Sequence, residues 1–167
     1  MTTWELDDLR NLPAVSKNDA KTIGRVEEVL FNPSASALFG LVIKPEEKDA
    51  VALLIPLSAI ASIGPDAVTV ESRTAAKPFL ENAQAQEISA AGGYRSGMRV
   101  LTESGELVGK IDKVTVDEKG AVVSYHSTTG LFGSKHDIEP SEVRSGSADM
   151  LIISDTAREG AVKNITG

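Results

Sequence analysis

The feature that most constrains this chain is a pattern that occurs twice. Ile23-Gly24-Arg25-Val26-Glu27-Glu28-Val29 and Val108-Gly109-Lys110-Ile111-Asp112-Lys113-Val114 share the order apolar, Gly, basic, apolar, two polar residues, apolar, and their glycines stand 85 positions apart. Downstream, Ile55-Pro56-Leu57-Ser58-Ala59-Ile60 aligns with Glu139-Pro140-Ser141-Glu142-Val143, with Pro56 and Pro140 offset by 84. Asp66 and Asp149, offset by 83, then introduce Val68-Thr69-Val70 and Leu151-Ile152-Ile153. A register that drifts so little over so long a stretch predicts two copies of one small unit rather than a single medium-sized domain.

Inside each copy, short apolar runs alternate with polar residues and are bounded by turn-formers, which is the signature of strands. The pattern predicts strands near 12–16, 23–31, 37–44, 51–55 and 67–70, and again near 98–102, 108–116, 121–127, 136–138 and 150–153, with turns at 56–59 and 140–142. The expected fold is all-β: two tandem small β-barrels of five to six strands each, over residues 10–74 and 94–157. Closure into a barrel would remove the exposed edges of so short a sheet. Aromatic residues make up only 4% of the chain, so the cores must be built from Val, Ile, Leu and Ala.

Between the copies, residues 75–93 lose the strand pattern. Positions 79–88 favour helix, and Gly92-Gly93 would end one, so a partly helical linker is expected. Residues 158–167 read as a flexible tail. Each copy also carries a phase slip. Val26 and Val29 are three apart, as are Ile111 and Val114, whereas Val29/Phe31 and Val114/Val116 keep a period of two. An extra residue bulging from the strand produces that slip, which places β-bulges at Glu27-Glu28 and Asp112-Lys113.

Composition excludes several function classes. There are no cysteines, so disulfides, thiolate metal sites and a Cys nucleophile are ruled out, and the chain fits a reducing, cytoplasmic setting. The acidic start, Met1-Thr2-Thr3-Trp4-Glu5-Leu6-Asp7-Asp8, lacks the apolar stretch of a signal peptide. No run approaches the roughly 20 apolar residues of a membrane-spanning helix. The net charge of −7 is spread along the chain, and no basic cluster lies beside aromatics. Direct binding to nucleic acid is therefore not expected, because it depends on a basic surface that releases counterions.

Catalytic signatures are equally sparse. His126 and His136 are the only histidines, ten residues apart, and two imidazoles alone make no zinc site. Gly105-Glu106-Leu107-Val108-Gly109-Lys110-Ile111 has one residue too few between its glycines for a phosphate loop, and Ile111 stands where Ser or Thr must bind magnesium. The pairs Asp7/Asp8, Glu27/Glu28 and Glu46/Glu47 are adjacent, so on a strand they point to opposite faces and cannot share a substrate. No nucleophile elbow is present. No catalytic, metal or cofactor residue is assigned. One segment stands out: residues 125–133 place Tyr125, His126, Leu131 and Phe132 around a Gly-bounded loop, a candidate partner contact because aromatic residues are enriched at interfaces. The alternative is that Leu131 and Phe132 plug the barrel end.

The repeated unit resembles a PRC-barrel. The resemblance rests on Ile23-Gly24-Arg25-Val26, Leu38-Phe39-Gly40-Leu41-Val42-Ile43, Ile55-Pro56-Leu57-Ser58 and Ile63-Gly64-Pro65-Asp66 in the first copy. In the second it rests on Val108-Gly109-Lys110-Ile111, Gly130-Leu131-Phe132-Gly133, Ile138-Glu139-Pro140-Ser141 and Asp149-Met150-Leu151, where Glu139 reads as an insertion before the proline. The family includes the cytoplasmic barrel of the photosynthetic reaction-centre H subunit and the C-terminal domain of RimM-type ribosome maturation factors. The resemblance implies a docking module for protein partners rather than an active site. The chain departs from the H subunit in having no N-terminal transmembrane helix. It departs from the ribosome factor in having a PRC-like first half without that factor's Gly-rich element.

The expected function is thus a non-enzymatic interaction or scaffold module, with a homodimer as one form of assembly. Two alternatives stay open: a ribosome maturation factor holding a ribosomal protein, and a small-ligand protein or enzyme of unrecognised type. Units of about 60 residues bury limited cores, so apolar docking of one barrel on the other or on a second chain, with isologous pairing, is expected.

Overall fold

The computed structural model describes residues 2–91, 97–129 and 134–155. β1 (Trp4–Glu5) leads into a 3-10 turn at Leu6–Leu9. The first half continues through β2 (Pro13–Ser16), β3 (Lys21–Asn32), β4 (Ala37–Pro45), β5 (Leu53–Pro56), β6 (Ile60–Ile63), β7 (Val68–Val70) and β8 (Lys77–Pro78). Helix α1 (Ala83–Ala90), capped by the Asn82 side chain accepting from Ala85 N–H, separates the halves. The second half contains β9 (Arg99–Thr102), β10 (Leu107–Val116), β11 (Val122–Thr129), β12 (Ser134–Ile138), β13 (Val143–Gly146) and β14 (Met150–Ile153).

The all-β expectation holds, and the two halves have the same strand order. The first sheet runs β6-β7-β2-β3-β4-β5-β8, and the second runs β13-β14-β9-β10-β11-β12 with β1 added on β10. Each contains one parallel pair at the equivalent place, β2 with β7 and β9 with β14. The correspondence extends to irregularities. Register shifts fall between Val26/Glu28 and Ile111/Lys113, the two expected bulges. Further matched shifts lie between Leu30/Phe31 and Thr115/Val116, and between Ile60/Ser62 and Val143/Ser145. Gly24 shows why its position needs glycine: a Cβ there would stand 2.2 Å from the Lys44 carbonyl oxygen on the neighbouring strand.

Among the described residues the hydrogen-bonded ladder of each half is an open path. In the first half β8 pairs with the edge of β5, through Leu53↔Pro78 and Leu54↔Lys77. Strands β6 and β13 were not expected. Their bulges leave Ile60 and Ile63, three apart, buried together and so break the alternation that reveals a strand. Finally, Glu139 is not an insertion. Pro56 and Glu139 occupy the same place before the matching 3-10 turns Leu57–Ala59 and Pro140–Glu142, so the proline has moved one step into the turn.

The halves share one core. Leu6, Leu9, Val29, Leu41, Ile55 and Val70 pack in the same cluster as Val100, Val114, Tyr125, Ile138 and Leu151. Where the halves meet, the contacts are reciprocal. Ala37 bridges Ala121, Leu38 N–H donates to Gly120 C=O at 2.9 Å, and Val122 N–H donates to Ser36 C=O at 2.9 Å. Leu38 and Val122 are register equivalents, opposite Phe31 and Val116 respectively, so the bonds form an isologous pair inside one chain. The turn of each β-hairpin likewise reaches the other half: Ile63 N–H donates to Glu118 C=O at 2.9 Å, and the Ser34 hydroxyl donates to Gly146 C=O at 2.8 Å.

The segments preceding each half are exchanged. β1 lies on β10 of the second half, where Glu5 pairs with Lys113 at 3.3 Å. Helix α1 packs on β3 of the first half, where Ser89 donates to Glu28 at 2.9 Å. Glu28 and Lys113 occupy equivalent register positions, opposite Val42 and His126. Residues 4–9, outside the expected first unit, therefore belong to the fold.

Candidate functional site

The expected contact segment divides into three fates. Tyr125 is fully buried, and its ring meets Phe31 edge-on at 6.1 Å across the seam between the halves. Its hydroxyl donates to Ser36 Oγ at 2.8 Å. Burial pushes the phenol up to about 12 from its ordinary 10.0, with the Ser36 hydrogen bond acting in the opposite direction. Tyr125 is thus a core residue and not a partner contact, because the inward face of β11 is where the halves join. His126, one residue on, points to the opposite face. Its Nδ1 lies 2.6 Å from Asp137 Oδ1 on β12. Leu131 and Phe132 lie outside the described residues.

His126 and Asp137 border a 260 Å³ hollow with Glu5, Asp112, Lys113 and Lys135. Cations and carboxylates alternate here, and Lys113 is already paired with Glu5. Among the described residues no group of three or more His, Asp or Glu side chains is placed to hold a metal ion.

Two apolar features were not legible beforehand. The first is a rim on the outer edge of the first sheet. Phe79 N–H donates to Ala52 C=O at 2.9 Å, which brings the chain on either side together. Val51 and Leu80 flank that bond and are 59% and 71% exposed, far more than large apolar residues usually are. The linker pattern favoured helix over this stretch, but 79–81 form a 3-10 turn that turns Leu80 outward. The second is a 280 Å³ cleft at the seam whose described lining includes Phe31 and Pro33 of the first half, Glu87 and Ile88 of α1, and Met98 and Gly146 of the second half. Its residues come from both halves and the helix between them, so no local pattern could have announced it.

Residues 1–77 match the PRC-barrel domain family, and the first half of the chain is a PRC-barrel domain. No curated protein matches the chain. No helix among the described residues is long and apolar enough to cross a membrane.

Proposed function

We propose that the chain is a non-enzymatic protein-interaction module made of two PRC-barrel-like halves that arose by duplication, the second having diverged beyond the family pattern. The shared strand order, matched bulges and reciprocal seam support the duplication. The observation that carries the interaction reading is the Val51/Leu80 rim. Val51 and Leu80 flank the Phe79–Ala52 hydrogen bond and are both exposed, so burying them against a partner's apolar surface would be favourable, and apolar patches mark contact sites. The rim lies on the edge of the half that matches the family, where β8 is only two residues long.

Leu80→Asp tests this reading. The side chain is exposed, so the thermal midpoint should move by no more than about 2 °C, in keeping with an effect within about 0.5 kcal/mol at a surface position. Capture of partner protein from a native extract should be lost. Equal capture by the wild type and the variant would remove the rim from the function. Co-sedimentation of the captured material with ribosomal subunits would move the assignment to ribosome maturation.

A further inference from the structure

The first sheet is apolar on both faces, and its two faces are covered to different depths. The inner face meets the second half through the shared core, where Val29, Leu41 and Ile55 are fully buried. The outer face carries Leu30, Val42 and Leu54, also buried, under α1 with Phe39, Ala52 and Phe79 around them. Within α1, Ala85 is the one buried residue, and Ile88 is partly buried beside it. Among the described residues a single side-chain hydrogen bond ties the helix to the strands below, Ser89 donating to Glu28 at 2.9 Å. The side-chain bonds of Asn82 and Gln86 stay within residues 80–86. A helix of eight residues is unstable by itself in water, so α1 persists only while it is docked. What docks it is one methyl, one Ile and one hydrogen bond.

We propose that α1 is a detachable cover, which leaves the outer face of the first sheet while the two halves stay joined and so gates access to that face. The division of the core permits it. Ala85 and Ile88 pack in the outer cluster and not in the one at the seam, so parting α1 from the sheet leaves the seam cluster's own contacts in place. Segments with few buried contacts open at a lower free energy than the core they rest on. The uncovered face is continuous with the Val51/Leu80 rim, because Ala52 and Phe79, whose hydrogen bond the rim flanks, pack on the same outer cluster. Opening therefore enlarges the apolar surface offered to a protein partner. That use rests on the interaction reading above, whereas the opening is a property of the chain alone. Partner capture by Leu80→Asp bears on the rim and not on the opening, so either reading fails without the other.

The test uses single thiols in the full-length protein, which has no cysteine of its own. Val42→Cys places one under α1, and Val29→Cys places one in the seam cluster by the same chemical change. Under native conditions the thiol reagent DTNB should modify the Val42→Cys protein roughly a hundredfold faster than the Val29→Cys protein. Low urea should accelerate the slow reaction steeply and the fast one little, because lifting one short helix exposes little surface. Adding Ala85→Gly, which removes the buried methyl and weakens the helix, should speed labelling of Val42→Cys by about tenfold or more. Adding Tyr125→Phe, which weakens the seam, should speed labelling of Val29→Cys about fivefold and leave that of Val42→Cys within about twofold, since the opened state keeps the seam. Amide exchange in the wild type gives a reading without substitutions: the Gln86 and Ala91 amides, bonded to Asn82 and Glu87 carbonyls, should be far less protected than those of β3 and respond less to urea. Equal labelling rates for the two thiols, equal urea dependence, no effect of Ala85→Gly on Val42→Cys, or an equal effect of Tyr125→Phe on both would each overturn the proposal by making α1 part of the cooperative core.

Discussion

The outer faces of the two halves occupy the same positions in the same strand order and carry opposite chemistry. In the first half Leu30, Val42 and Leu54 form a buried cluster under Ala85 of α1. Their register equivalents in the second half are Thr115, His126 and Asp137: Thr115 stands opposite Ser124 as Leu30 stands opposite Gly40, and His126 pairs with Asp137 as Val42 pairs with Leu54. One face is roofed by a helix, and the other is lined by a His–Asp pair beside Lys113 and Lys135. A β-scaffold of this kind is specified by its inward-facing positions and its bulges, so its outward positions are free to change.

Exchanging equivalent residues breaks or sharpens this comparison. The largest effect is expected for Leu54→Asp, which puts the second half's residue into the first. Leu54 is 2% exposed, and an unpaired carboxylate there should cost more than about 4 kcal/mol or prevent folding. The mirror change, Asp137→Leu, should stay within about 1 kcal/mol, because Asp137 is 64% exposed. Urea denaturation of both variants reads the difference directly. Similar costs for the two would mean that the outer faces are not the distinct environments described.

A smaller effect is expected at the seam. Tyr125→Phe removes the hydroxyl that donates to Ser36 and should cost about 1 kcal/mol near neutral pH. It should also change the alkaline limb of the stability profile. In the wild type the folded phenol keeps its proton up to about 12, whereas the unfolded chain loses it near 10.0. Stability from this group is therefore complete below pH 10 and declines as pH rises toward 12, by on the order of 2 to 3 kcal/mol. Tyr125→Phe should lack that decline relative to the wild type. A decline of the same size in the variant would assign it to another group.

The smallest effect concerns the exchanged N-terminal segment. The Lys113–Glu5 pair spans 3.3 Å with both side chains nearly half exposed, so Lys113→Ala should cost less than about 1 kcal/mol in thermal denaturation. The segment is held instead by Leu6 and Leu9, which are fully buried. A larger loss would show that charge, not burial, anchors β1 across the seam.

What the sequence by itself determined is local and periodic. The repeat, its strands and the slips at Glu27 and Asp112 were readable because a two-residue period and its interruption depend only on which neighbours are apolar. The linker helix was readable too, since it needs only helix-forming residues and a cap. What the tertiary structure decided is everything that depends on distant partners. Tyr125 and His126 look alike as neighbours on a partner-contact loop. Only the meeting of β11 with the first half makes one a buried seam residue, while the neighbouring β12 gives the other Asp137 as partner. The pairing of β8 with β5 and the exchange of β1 and α1 arise from contacts between residues far apart in the chain. Such contacts are settled by shape and burial in three dimensions, which no one-dimensional period encodes.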